Sequence, residues 1–172
     1  GSFDDLLAEF GSTPLPPYIK RPSGTSAEDR ERYQTIYSKH RGAIAAPTAG
    51  LHFTPEILSQ VARQASLAEI TLHVGYGTFE PVRGDDVMDH AVSGEHFEIS
   101  ETAAQTINGA RSIGGRVIVV GTTTMRAPES PATQNGTVQP GSGVATLTIK
   151  PGYQFRVADA LLTNFHLPRS SL

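Results

Sequence analysis

Apolar and polar residues alternate along Glu69-Ile70-Thr71-Leu72-His73-Val74 and along Glu95-His96-Phe97-Glu98-Ile99, the period-two pattern of half-buried strands. Arg116-Val117-Ile118-Val119-Val120 is instead a continuous apolar run, which predicts a strand buried on both faces. Ile44 to Ala46 predicts a shorter buried strand, and strand pattern returns in Val144 to Lys150, Phe155 to Val157 and Ala160 to Leu162. Helical spacing marks Phe3 to Phe10, closed by Gly11, and a segment from Ser26 to about Ser38 that opens on a capping signature. It marks Thr54 to Ala65, with Ile57, Leu58 and Val61 inward, and Glu101 to Ala110, capped by Ser100. Prolines hold Pro14 to Ile19 extended. Pro128 to Gly143, rich in Pro, Gly, Ser, Thr and Gln, predicts a flexible surface loop. Strands alternating with helices predict an α/β fold, a layered sandwich with a mixed sheet, in one domain over residues 1–172.

Four predicted strand ends open into polar turns: Thr48/His52, His73/Gly75/Gly77/Thr78, Thr122/Thr123/Arg126 and Thr163/Asn164/His166. In the first, Gly50 is expected to take a positive φ, and Thr54-Pro55-Glu56 reads as a helix start. In the second, Gly75 to Arg83 is a glycine-rich loop that permits close backbone approach to a ligand. Ligands of open α/β sheets bind beyond the carboxyl ends of the strands, so neighbouring strands would bring these groups to one crevice.

Composition narrows the chemistry. With 38% apolar and 18% charged residues the chain suits a globular protein rather than a disordered one. Cysteine is absent, which excludes disulfides and thiolate nucleophiles and fits a cytoplasmic protein. No apolar run approaches the ~20 residues of a membrane span, so no membrane partner is expected. The net charge of −3 argues against a uniformly basic surface but leaves room for a local basic groove. Three histidines could hold zinc, yet no H-x-H or H-E-x-x-H spacing occurs and the reading here is no metal. G-x-S-x-G and Walker patterns are absent.

Longer segments carry a resemblance. Pro14 to Ile19, Arg32 to Thr35, Ala46 to Thr54, Thr71 to Gly75 with Gly77 to Phe79, Gly121 to Thr123 with Arg126 and Glu129-Ser130, and Leu162 to Pro168 resemble the S-adenosylmethionine:tRNA ribosyltransferase-isomerases of queuosine biosynthesis. The match covers nearly the whole chain in the family's order. Where the family usually has H-x-M-H-S-E, this chain reads His90-Ala91-Val92-Ser93-Gly94-Glu95. Ala127-Pro128 likewise replaces a Thr-Leu pair, and Tyr76 stands where a small residue is usual.

The resemblance implies transfer of the ribosyl moiety of S-adenosylmethionine to 7-aminomethyl-7-deazaguanine in tRNA and its isomerisation, giving epoxyqueuosine, adenine and methionine. It implies tRNA and S-adenosylmethionine as partners, the latter a co-substrate, with no cofactor, and a cytoplasmic monomer. His52, His73 and His166 become candidates for acid–base work, left unranked. Arg126 is expected at the methionine carboxylate. Thr48, Gly75, Gly77, Thr78, Thr122, Thr123 and Asn164 are expected at ribose or adenine. Family members also carry an inserted β-barrel and further segments at both ends, so the chain is expected to be a central catalytic core without the barrel. The competing expectations are an incomplete nucleoside-binding core without turnover and, from another class, a metal-dependent hydrolase.

Overall fold

The structure of the chain is a computed structural model that describes residues 3–170 apart from 17, 23, 83–85 and 133. Pro17, Arg83 and Thr133 of the segments above lie outside the described residues.

The period-two pattern finds its place in β2 (Glu95–Ile99), where Glu95, Phe97 and Ile99 are buried and His96 and Glu98 exposed. β2 is the centre of a three-stranded antiparallel sheet. On one side lies β1 (Thr71–His73), with Thr71 opposite Glu98 and His73 opposite His96. On the other lies β4 (Gly141–Ala145), with Glu95 opposite Ala145 and Ile99 opposite Gly141. Ser100 ends β2 and caps α4 (Glu101–Ser112), its hydroxyl accepting the Ala103 N–H at 3.1 Å. Ala103 and Ala104 on α4 then join Phe97, Ile99, Ala145 and Val157 in the core.

β3 (Ile118–Val120) pairs with β5 (Ala160–Leu162) in a separate parallel sheet, Ile118 opposite Ala160 and Val120 opposite Leu162. The expected mixed sheet is therefore two small sheets, one antiparallel and one parallel, and among the described residues they form no barrel. The helices are α1 (Phe3–Phe10), α2 (Ala27–Arg32), α3 (Pro55–Ala62), α4 and α5 (Thr122–Glu129). No helix among the described residues is long and apolar enough to cross a membrane.

Several local expectations change once tertiary contacts are made. Ile44 to Ala46 forms no strand: Ile44 N–H bonds to Val74 C=O at 2.8 Å, and Pro47 follows with no N–H to extend a ladder. Gly50 lies in a 3-10 turn, Thr48–His52, and is absent from the positive-φ residues. Its smallness serves packing instead, since a Cβ there would lie 2.0 Å from Tyr37 Oη. α2 keeps its capping box but stops at Tyr33, well before Ser38, and Tyr33 and Thr35 turn into the protein. α3 buries no residue, and Ile57 is 41% exposed. In β3 only Val119 is buried, because the two-stranded sheet leaves Ile118 58% exposed.

The largest change follows β3. Gly121, at φ 93°, turns the chain directly into α5, where a turn and then a loop were expected. Pro128 sits inside this helix, and the burial of Met125, Ala127 and Pro128 outweighs its poor helix propensity. The predicted surface loop 128–143 contains the end of α5, the buried Ala132 and Val138, and the start of β4. Asn108 of α4 ties it down, donating to Val138 C=O and accepting from Val138 N–H, both at 2.9 Å. β4 accordingly begins before Val144 and ends at Ala145, short of Lys150. Phe155 to Val157 forms no strand, because the Arg156 and Val157 amides are bonded to the Glu129 carboxylate.

Candidate functional site

β3 and β5 run parallel and end side by side, with Gly121 N–H bonded to Leu162 C=O at 2.9 Å. A cavity of about 200 Å³ opens at these carboxyl ends. Gly121, Thr122 and Thr123 line it from the start of α5, and Thr163, Asn164 and His166 line it from the segment after β5. Ala45 to Ala49 contribute a third stretch, and Val74 and Thr78 contribute from beyond β1. Tyr18, Tyr33 and the fully exposed Phe165 add aromatic surface. Burial pushes the Tyr33 phenol up to about 12.

Of the residues expected to form a site, Thr48, Thr78, Thr122, Thr123, Asn164 and His166 come together here. His52, His73, Gly75, Gly77 and Arg126 do not line the cavity. His52 is exposed at the end of its 3-10 turn. His73 lies within β1 opposite His96, with its Nδ1 buried, lacking a hydrogen-bond partner, and packed beside Gly42. Gly75 and Gly77 belong to the turn around Tyr76–Phe79, where Gly77 packs on Ser93 so closely that a Cβ would lie 2.5 Å from its Cβ. Among the described residues no three His, Asp or Glu side chains gather as a possible metal set.

Arg126, expected to meet a ligand carboxylate, is 7% exposed and turned into the protein. Its Nη1 donates to Glu95 Oε2 at 2.7 Å, its Nη2 to the carbonyls of Ser93 and Ala145 at 2.9 and 2.8 Å, and its Nε to Leu147 C=O at 2.8 Å. Burial raises the Glu95 carboxyl above its ordinary range, opposed by the attraction of Arg126. The same desolvation lowers the Arg126 guanidinium, opposed by Glu95. The partner of Arg126 is thus an internal acid.

Two acids that stand in the segments compared with the family, Glu95 and Glu129, are not among the expected site residues. Glu95 shares the buried phase of β2 with Phe97 and Ile99, and a charged residue in that register needs a buried partner. That register was the available signal. Glu129 is 2% exposed and accepts from the amides of Arg156, Val157 and Ala158 at 3.0, 2.9 and 3.0 Å and from the Tyr153 hydroxyl at 3.1 Å. Its partners lie far along the chain, and no local pattern announces them.

Residues 2–172 match the family described as queuosine biosynthesis protein. The chain is 54% identical over 171 residues to an S-adenosylmethionine:tRNA ribosyltransferase-isomerase of Geotalea uraniireducens, covering 99% of this chain and 49% of that one. It is 51% identical over 173 residues to a protein of the same name from Natranaerobius thermophilus, covering 100% of this chain and 49% of the relative. A crystal structure of an S-adenosylmethionine tRNA ribosyltransferase from Thermotoga maritima resembles it with a TM-score of 0.53 and 33% identity, over 72% of this chain and 38% of that one. The chain spans about half the length of the curated relatives it matches.

Proposed function

The chain belongs to the queuosine biosynthesis protein family, and from that premise we propose that it carries the ribosyl-transfer site of an S-adenosylmethionine:tRNA ribosyltransferase-isomerase. In this reading the ribosyl moiety of S-adenosylmethionine moves to 7-aminomethyl-7-deazaguanine in tRNA and rearranges to the epoxycyclopentanediol of epoxyqueuosine, while adenine and methionine leave. The observation that carries the reading is the convergence of Thr48, Thr78, Thr122, Thr123, Asn164 and His166 on one cavity at the carboxyl ends of two parallel strands.

The substrate sets the chemical demands. The sulfonium charge acidifies the neighbouring C5′ hydrogens, so a positioned base can remove one and start elimination of adenine. Departing adenine needs a proton or hydrogen-bond donors. The acceptor's aminomethyl nitrogen must then shed a proton to attack the ribosyl carbon, and methionine leaves as the epoxide closes. His166 is the histidine in the cavity, and imidazole is the side chain best suited to take and return protons near neutral pH. The threonine hydroxyls and Asn164 offer donors and acceptors to ribose hydroxyls and to the purine edge. Tyr18, Tyr33 and Phe165 offer aromatic surface on which a purine can stack.

A second reading, a nucleoside-binding core without turnover, draws support from the chain's spanning about half of its relatives' length. One experiment separates the two. The chain and a full-length relative are incubated with S-adenosylmethionine and tRNA bearing 7-aminomethyl-7-deazaguanine, and free adenine and epoxyqueuosine are measured by mass spectrometry. Product from both supports the transferase site. Product from the relative alone, with S-adenosylmethionine bound by the chain, assigns a binding core. Absence of product and of binding from the chain overturns both readings.

A further inference from the structure

α5 meets the cavity through its first turn and carries two buried charged side chains further along. Arg126 reaches the antiparallel sheet, bonding Glu95 at the start of β2, Ala145 at the end of β4, and the carbonyls of Ser93 and Leu147. That sheet contains β1, which leads into Val74 and Thr78 of the cavity. Glu129, three residues further along α5, holds the amides of residues 156–158, and these lead into β5 and on to Thr163, Asn164 and His166.

We propose that Arg126, together with Glu95, and Glu129 are positioning residues that fix two polar walls of the cavity to one helix. None of the three lines the cavity. Stability alone does not call for these charges, because a well-packed apolar pair fills such a place as well or better once desolvation is counted. An apolar pair cannot make four directed hydrogen bonds to two separate segments, residues 93–95 and 145–147, which the planar fork of Arg126 does. Glu129 is the counterpart for the segment leading into β5. Its two oxygens collect three successive N–H groups that would otherwise lack a ladder partner, and so they set where β5 begins. The proposal rests on the cavity being the site of the transfer reaction.

The test uses the double variant Glu95→Leu/Arg126→Met and the single variant Glu129→Gln, with two readouts. In amide hydrogen exchange the double variant, with its melting temperature within about 4 °C of the parent, should speed exchange by about tenfold or more at Val74 to Thr78 while Ile99 to Ala104 stay protected. Glu129→Gln should do the same at Val157 to Asn164 alone. In turnover with S-adenosylmethionine and modified tRNA, kcat should fall by about tenfold to a hundredfold with KM changed by less than about threefold. Exchange that is unchanged, or that rises evenly over the whole chain, overturns the proposal, as does a folded variant with the parent's kcat. If Glu129→Gln fails to fold, the double variant decides by the same readouts. If the parent chain itself lacks turnover and binding, the functional reading fails, and local exchange still decides whether these residues hold the walls.

Discussion

Arg126 Nη1 lies 2.7 Å from Glu95 Oε2, and the two side chains are 9% and 5% exposed. This contact joins the helix that opens the cavity to the central strand of the antiparallel sheet. A buried pair of this kind contributes little net stability when intact, but loss of one member strands a charge away from water. Arg126→Met alone should therefore cost about 3–5 kcal/mol, and adding Glu95→Leu should restore the part due to the stranded charge, while the carbonyls of Ser93, Ala145 and Leu147 stay without their donor. Urea unfolding of both variants checks this. A single variant as stable as the parent would remove the pair from the architecture.

His166, exposed like His52, is the member of the expected histidine set that lines the cavity, whereas His52 does not. On the proposed transfer reaction, His166→Gln should lower kcat by about 10²–10⁴-fold, the range for loss of a general acid or base. His52→Gln should leave it within about threefold. Single-turnover release of adenine measures the step directly, and equal rates for His166→Gln and the parent would take His166 out of the chemistry.

Gly50 lies against Tyr37, so Gly50→Ala must displace that ring or the 3-10 turn carrying Thr48. The expected cost is about 1–3 kcal/mol, as for other overpacked sites. Tyr37→Ala in the same chain should recover part of it, measured by thermal unfolding. Additive losses would show that the two residues do not meet.

Asp29 accepts from Arg21 Nη2 at 2.7 Å and from Ser26 N–H at 3.0 Å, and the Arg21 guanidinium holds its carboxyl down to about 2. In the unfolded chain an aspartate titrates near ~3.9. Because the folded value is the lower one, the contribution is fully present above the unfolded value and is lost as pH falls through about 2. Carbon-13 titration of Asp29 should give a midpoint near about 2, with α2 amides exchanging faster over the same range. Asp29→Asn should abolish the pH dependence, and an ordinary midpoint would contradict the pairing.

Some of this architecture was legible along the chain. β2 and α4 lie where the period-two pattern and Ser100 put them, and the Ser26 and Thr54 caps form as expected. These features depend on neighbours a few residues away, so the order of side chains determines them. The family motifs were legible for a related reason, being unbroken runs of sequence. Tertiary structure decided the rest. The Pro128-containing segment became a helix because burial of Met125 and Ala127 outweighed local propensity. Thr48, Thr78, Thr123 and Asn164 converge only because β3 pairs with β5 and Ile44 reaches Val74. Arg126 reads as a ligand-binding arginine in its turn, and only the fold supplies Glu95 and the carbonyls that take up its hydrogen bonds. Pairing and desolvation are set by residues distant in sequence, and no local pattern contains them.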